Sequence, residues 1–129
     1  MAIGEQTFGF FIPTVTLMGV GCHKKLAGKV TQLGGERPLI VTDKGITSAG
    51  LTDQIVKLIQ EGAGVDPVVY DETIPNPTDT NVDDGVKVYQ DNQCDMLISL
   101  GGGSAHDCGK GIGLASIFHQ ALTGKPMKR

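Results

Sequence analysis

Short apolar runs and helix-spaced apolar positions alternate along the chain, and the alternation sets the expected architecture. Pro38–Thr42, Pro67–Tyr70 and Met96–Leu100 are continuous apolar runs rich in β-branched residues, the pattern of strands covered on both faces. Between them, Leu26, Val30 and Leu33, then Leu51, Ile55, Leu58 and Ile59, then Val82, Val86 and Tyr89 recur at helical spacing. Gly34-Gly35 and Gly62 are expected to close the first two helices, and Thr80–Asp83 to cap the start of the third. From Ser104 the pattern is helical again, with Ile112, Leu114, Ile117 and Phe118 as its apolar positions. Two further β-favouring runs, Phe8–Ile12 and Val15–Met18, are split by Pro13 and predict an N-terminal β-hairpin.

Short strands alternating with helices are βαβ units, in which each helix returns the chain across a parallel sheet. The expected fold is therefore α/β: a Rossmann-like, open, doubly wound parallel sheet with helices on both faces. Ligands of such sheets sit beyond the carboxyl ends of the strands. Asp43, the IPNPT loop (74–78) and the triple glycine 101–103 all fall there.

The stretch MLISLGGGSAHDCGKGIG (96–113) runs from a strand through three glycines into a helix. A backbone without Cβ atoms lets a phosphate approach closely, and the helix that follows offers unpaired N–H groups and a positive dipole end. Gly101, Gly102, Gly103 and Ser104 thus form a candidate pyrophosphate cradle. It is neither GxGxxG nor a P-loop, since no Gly-Lys-Ser/Thr follows. The plainer reading is a tight turn with Ser104 as N-cap and Asp107 closing a capping box. Asp43, at the end of its strand, could accept hydrogen bonds from ribose hydroxyls and repel a 2′-phosphate, which favours NAD over NADP; a turn aspartate is the alternative. Asn76 carries an amide on a loop stiffened by Pro75 and Pro77, suited to a ligand contact or to a plain turn.

Other polar residues weigh less. Asp107 and Lys110 are spaced to pair on a helix surface, an interaction worth little. His23, His106 and His119 are scattered and show no metal-ligand spacing. Cys108 lies near a helix N-terminus but has no evident base partner, so a nucleophilic role is not expected.

Length and composition then narrow the classes. At 129 residues the chain is one domain, 1–129, able to bury roughly two-thirds of its unfolded surface. A net charge of −3 supplies no basic field for nucleic acid. No apolar run is long enough to span a membrane, and no signal peptide is visible. Three cysteines without CxxC pairing fit free thiols in a reducing cytoplasm.

Together FFIPTVTLMGVG (10–21), LIVTDKG (39–45), IPNPT (74–78) and GGGSAHDCGK (101–110) resemble the N-terminal domain of the iron-containing (group III) alcohol dehydrogenases. The resemblance runs from residue 8 to about 114 and is greatest toward the branch of 1,3-propanediol, methanol and lactaldehyde dehydrogenases. It implies that Asp43 contacts the adenosine ribose, that Asn76 lines the cofactor cleft, and that Gly102, Gly103 and Ser104 hold the NAD pyrophosphate. It also implies that a divalent iron, or zinc in some relatives, polarises the alcohol in full-length members, with ligands from a C-terminal helical domain. Neither that domain nor the family's next strand and Thr-rich loop is present in this sequence, and the tail 115–129 is atypical. The chain thus reads as truncated and non-catalytic on its own. Truncation would leave Met96–Leu100 at an open edge, and self-association through that edge or through the 8–18 strands is expected. The rival reading is a non-catalytic self-assembling or partner-binding module; a third is a flavodoxin-like binder of another phosphate ligand.

Overall fold

The structure is a computed structural model, and it describes Gly9, Phe11 and residues 13–124. Its elements follow the predicted alternation: a 3-10 turn at Cys22–Lys25, α1 Leu26–Gln32, β1 Pro38–Val41, α2 Lys44–Ser48, α3 Leu51–Ala63, β2 Val68–Tyr70, α4 Asp79–Asp91, β3 Met96–Ser99 and α5 Gly103–Thr123. The three strands form one parallel sheet in the order β2-β1-β3. Leu39, Ile40 and Val41 pair with Val68, Val69 and Tyr70 on one side and with Leu97, Ile98 and Ser99 on the other.

The central strand explains why both faces are covered. All four residues of β1 are buried, and Leu39, Ile40 and Val41 alternate between two cores. Leu39 and Val41 join Tyr70, Tyr89, Cys108 and Ile112, which places α4 and α5 on one face. Ile40 joins Ile55 and Ile59, with Leu26 packed alongside, which places α3 and α1 on the other. A period-2 strand can feed two apolar layers only if both layers exist, so the unbroken apolar run Leu39–Val41 already required helices on both sides.

Several local expectations are corrected. Gly62 does not end its helix: α3 continues to Ala63, and Gly64, with a φ of 69°, is the left-handed cap. Gly62 instead lets α3 lie directly against α1, because a Cβ there would stand 2.5 Å from the Ala27 Cβ. The cap of α4 is Thr78, whose hydroxyl accepts from the Asn81 amide, two residues before the predicted signal. Of the apolar positions expected on the last helix, Ile112 is core, while Leu114, Ile117 and Phe118 are exposed. Val15–Met18 forms no strand: Val15, Leu17 and Met18 are exposed, and no described neighbour supplies a ladder. The other arm of the expected hairpin, Phe8–Ile12, lies outside the described residues except for Gly9 and Phe11.

Glycines at helix contacts give opposite expectations by position. A Cβ on Gly85 of α4 would meet the Ile112 Cδ1 at 2.2 Å, so Gly85→Ala should lower stability by about 1–3 kcal/mol. Gly28 on exposed α1 faces open space, and Gly28→Ala should raise stability by about 0.5–1 kcal/mol. Denaturant unfolding of the two variants checks the pair, and equal shifts would contradict the packing described.

Candidate functional site

The order β2-β1-β3 creates a switch point. After β1 the chain turns to the face of α3; after β3 it turns into α5 on the opposite face. The loops leaving β1 and β3 therefore diverge, and a crevice opens between them at the carboxyl end of the sheet. There the structure has a cleft of about 530 Å³ lined by residues of three loops: Asp43, Lys44 and Gly45 after β1, Thr73–Pro75 after β2, and Gly102–Ala105 after β3.

A single buried threonine ties these loops together. The Thr42 amide donates to the Tyr70 carbonyl at 2.9 Å, and its carbonyl accepts from the Thr73 amide at 3.2 Å. Its hydroxyl donates to the Leu100 carbonyl at 2.7 Å, while the Leu100 amide donates to the Val41 carbonyl at 2.9 Å. The floor of the cleft is thus one hydrogen-bonded knot at the ends of all three strands. Sequence reasoning missed Thr42, although a hydroxyl closing an otherwise apolar strand was the available signal.

The three glycines separate into two roles. Gly101 has a φ of 136°, and a Cβ there would stand 3.3 Å from the Ala105 Cβ and 3.6 Å from the Asp43 Oδ2. It makes the turn possible and brings the β3 loop against Asp43. Gly102 and Gly103 differ: a Cβ on either would meet nothing within 4 Å, and Gly102 has an extended backbone open to any residue. Neither steric nor backbone demand within the protein calls for glycine there; the space they keep open is the cleft.

The predicted capping box is not formed. Helix α5 starts at Gly103 with Gly102 as N-cap and no capping side chain. Its first bond is from the His106 amide to the Gly102 carbonyl at 3.3 Å, so the amides of Gly103, Ser104 and Ala105 precede the helical ladder. Asp107 instead faces Lys110 at 3.9 Å on the exposed surface. His106 bonds through Nδ1 with the Ser99 hydroxyl, which bridges the glycine loop from β3 to the first turn of α5.

Asp43 caps α2, accepting from the Ile46 amide at 2.9 Å, and also lines the cleft. The turn role of this residue is thus realised, and its carboxylate also faces the cleft. Lys44, which sequence reasoning passed over, spans the cleft rim to Asp71 and Glu72, each at 2.7 Å. Those two carboxylates push the Lys44 ammonium up to about 12, and Lys44 in turn holds Asp71 below its usual range. Asn76 adopts a left-handed φ of 51° and is exposed beside Pro75; it is not among the residues lining the cleft.

Behind the wall, Asn81 organises the loop after β2. Its Nδ2 donates to the Tyr70 hydroxyl and to the Glu72 carbonyl, at 2.7 Å and 2.9 Å, and its Oδ1 accepts from the Ile74 amide at 3.2 Å. Cys108 is fully buried, and burial pushes its thiol up, so it is a neutral core group and not an activated nucleophile. Among the described residues, no three His, Cys, Asp or Glu side chains converge on a point that could hold a metal ion.

This geometry has counterparts in known proteins. The model of the iron-containing alcohol dehydrogenase family matches residues 13–127. The chain belongs to that family. It is 42% identical to a 1,3-propanediol dehydrogenase of Citrobacter freundii over 119 residues, which cover 91% of this chain and 30% of that protein. It is also 42% identical to an NAD-dependent methanol dehydrogenase of Bacillus methanolicus over 83% of this chain and 28% of the relative. A crystal structure of 1,3-propanediol oxidoreductase superposes with a TM-score of 0.80 at 40% identity, over 86% of this chain and 29% of the other. The chain thus spans about 30% of the length of the curated relatives it matches. The same match supports the Rossmann-like assignment of the sheet. No helix among the described residues is long and apolar enough to cross a membrane.

The knot at Thr42 can be tested without touching the cleft surface. Thr42→Val keeps the shape but removes the donor to the buried Leu100 carbonyl, and should cost about 1–3 kcal/mol of unfolding free energy. Urea denaturation measures it; a variant as stable as the wild type would mean that the bond does not hold the β3 loop.

Proposed function

We propose that this chain is a dinucleotide-binding domain of the NAD-linked alcohol dehydrogenase type, and that the cleft holds NAD. The observation that carries the reading is the start of α5: three amides ahead of the helical ladder, two glycines whose missing Cβ atoms leave the space beside them open, and no side chain capping the end. That combination provides positive partial charge, close access and no competing internal acceptor, which suits a pyrophosphate. In this reading the amides of Gly103, Ser104 and Ala105 bind the phosphates, and the Ser104 hydroxyl adds a donor. Gly102 leaves room for them, and Gly101 shapes the turn. Asp43, beside the glycine turn, accepts from the ribose hydroxyls with the oxygen lobe not used by Ile46. Asn76, next to the cleft-lining Pro75, is assigned the cofactor contact expected of it only if its loop moves toward the cleft on binding.

When bound, NAD would supply the hydride acceptor for oxidation of a short alcohol or diol, or as NADH the donor for the aldehyde. The described residues hold no donor set suited to the family's iron, and no catalytic residue is assigned among them. The chain alone is therefore proposed to bind cofactor without turning over alcohol, in a reducing cytoplasm.

Calorimetric titration with NAD+ tests the reading against Gly102→Val. The valine should fold normally, because the Gly102 backbone is extended and its surroundings are open, yet bind NAD+ at least about tenfold more weakly. Equal affinities would remove the cradle. The same preparation, given Fe2+, NAD+ and 1,3-propanediol, should produce no NADH.

A second reading, self-association, is favoured by the apolar surface left uncovered. Phe11, Val15 and Met18 near the N-terminus and Leu114, Ile117, Phe118 and Leu122 on the far half of α5 are exposed, with Leu122 at 85%. Strand β3 has β1 as its sole neighbour among the described residues. Exposed apolar rows and a free strand edge both seek partners. Sedimentation equilibrium over a concentration series should give a mass that rises above the 13.5 kDa monomer; a constant monomer mass would rule this out.

A further inference from the structure

The cleft rim carries a cation that the cofactor reading leaves without a task. Lys44 follows Asp43 directly, both line the cleft, and the Lys44 ammonium is drawn away along the rim by Asp71 and Glu72 at 2.7 Å each. Asp43 lines the cleft, and Asp71 and Glu72 hold Lys44 from outside that lining, so three carboxylates and one ammonium gather beside the place proposed for the adenosine ribose. An acidic rim admits neutral hydroxyls and repels a third phosphate at the ribose. Lysine is a compact charge on a flexible four-carbon stem, and the Lys44 side chain is 63% exposed, so no packing fixes it to its present partners.

We infer that Lys44 is a latent reader of an adenosine 2′-phosphate, and that Asp71 and Glu72, by holding its ammonium, keep the cleft selective for the unphosphorylated ribose. The inference rests on the cofactor reading above and adds to it a specificity device built from the loop after β2. Asp43 alone would repel the extra phosphate. The clamp also withdraws the one cation among the residues lining the cleft that could compensate for it. Release of the clamp should therefore relax discrimination even with Asp43 intact.

The test uses NAD+ and NADP+, which differ only in the 2′-phosphate, titrated calorimetrically into the full chain at low ionic strength, where exposed charges are least screened. Wild type should prefer NAD+. The double variant Asp71→Asn, Glu72→Gln should shift the NADP+ to NAD+ affinity ratio toward NADP+ by about fivefold, the size of an exposed charge interaction. Adding Lys44→Met to that background should abolish the shift, whereas Lys44→Met alone, with both carboxylates kept, should not move the ratio toward NADP+. If wild type binds NAD+ but the double variant leaves the ratio unchanged, the clamp does not set specificity. A shift that survives Lys44→Met would assign the effect to the removed carboxylates alone and overturn the role of Lys44. Failure of wild type to bind NAD+ at all would defeat the cofactor reading, and this inference with it. Thermal unfolding of each variant near the wild-type midpoint confirms that folded proteins are compared.

Discussion

The hydrogen bonds of Thr42 are the constraint on which the site depends. A parallel sheet leaves its strands to run out separately, and the loops beyond have no ladder to hold them. Here one buried residue spends its amide on β2, its carbonyl on the loop after β2, and its hydroxyl on the residue that follows β3. Each group would be costly to leave unpaired at that depth, so the arrangement is fixed by the same satisfaction rule that builds sheets. The cleft is shaped because its three walls leave from one knot.

Charge is then distributed unevenly around that shape. The start of α5 offers partial positive charge from amides with no internal acceptor, while Asp43 stands beside the glycine turn and Lys44, next in the chain, pairs with Asp71 and Glu72. The proposed dinucleotide matches this distribution, with an anionic centre and hydroxyls displaced to one side. The Lys44 bridge also joins the loop after β1 to the loop after β2, so it helps hold two walls in register. It survives only while both partners are charged. As pH falls through the lowered pKa of Asp71, below the usual value of 3.8, the stabilisation is lost; as pH rises through about 12 at Lys44 it is lost from the other side.

The glycines show how one residue type answers different demands. Gly101 is needed for its positive φ and for contact with Ala105, and Gly62 and Gly85 for helix packing. Gly102 and Gly103 meet no protein atom where a Cβ would stand, and they differ from the other open glycines in lining the cleft. Composition alone could not sort them, because the difference lies in what each missing Cβ would have met.

By itself the sequence determined the α/β class, the three parallel strands and the helices on both faces. Local signals carry these: unbroken apolar runs such as Leu39–Val41 and stripes such as Leu51, Ile55 and Ile59 register the layers that must cover them. The four motifs also made the family legible before any coordinates. Tertiary structure alone decided that β1 is central, that Asp43 meets Gly101, that Lys44 reaches Asp71 and Glu72, and that the helix starting at Gly103 is uncapped. It also left Leu114, Ile117 and Phe118 exposed, and Val15–Met18 without a strand partner among the described residues. The reason is physical: spacing along a chain reports which face a residue presents, whereas partners 27 or 58 positions apart, such as Lys44 with Asp71 or Thr42 with Leu100, are chosen only when the sheet brings its ends together.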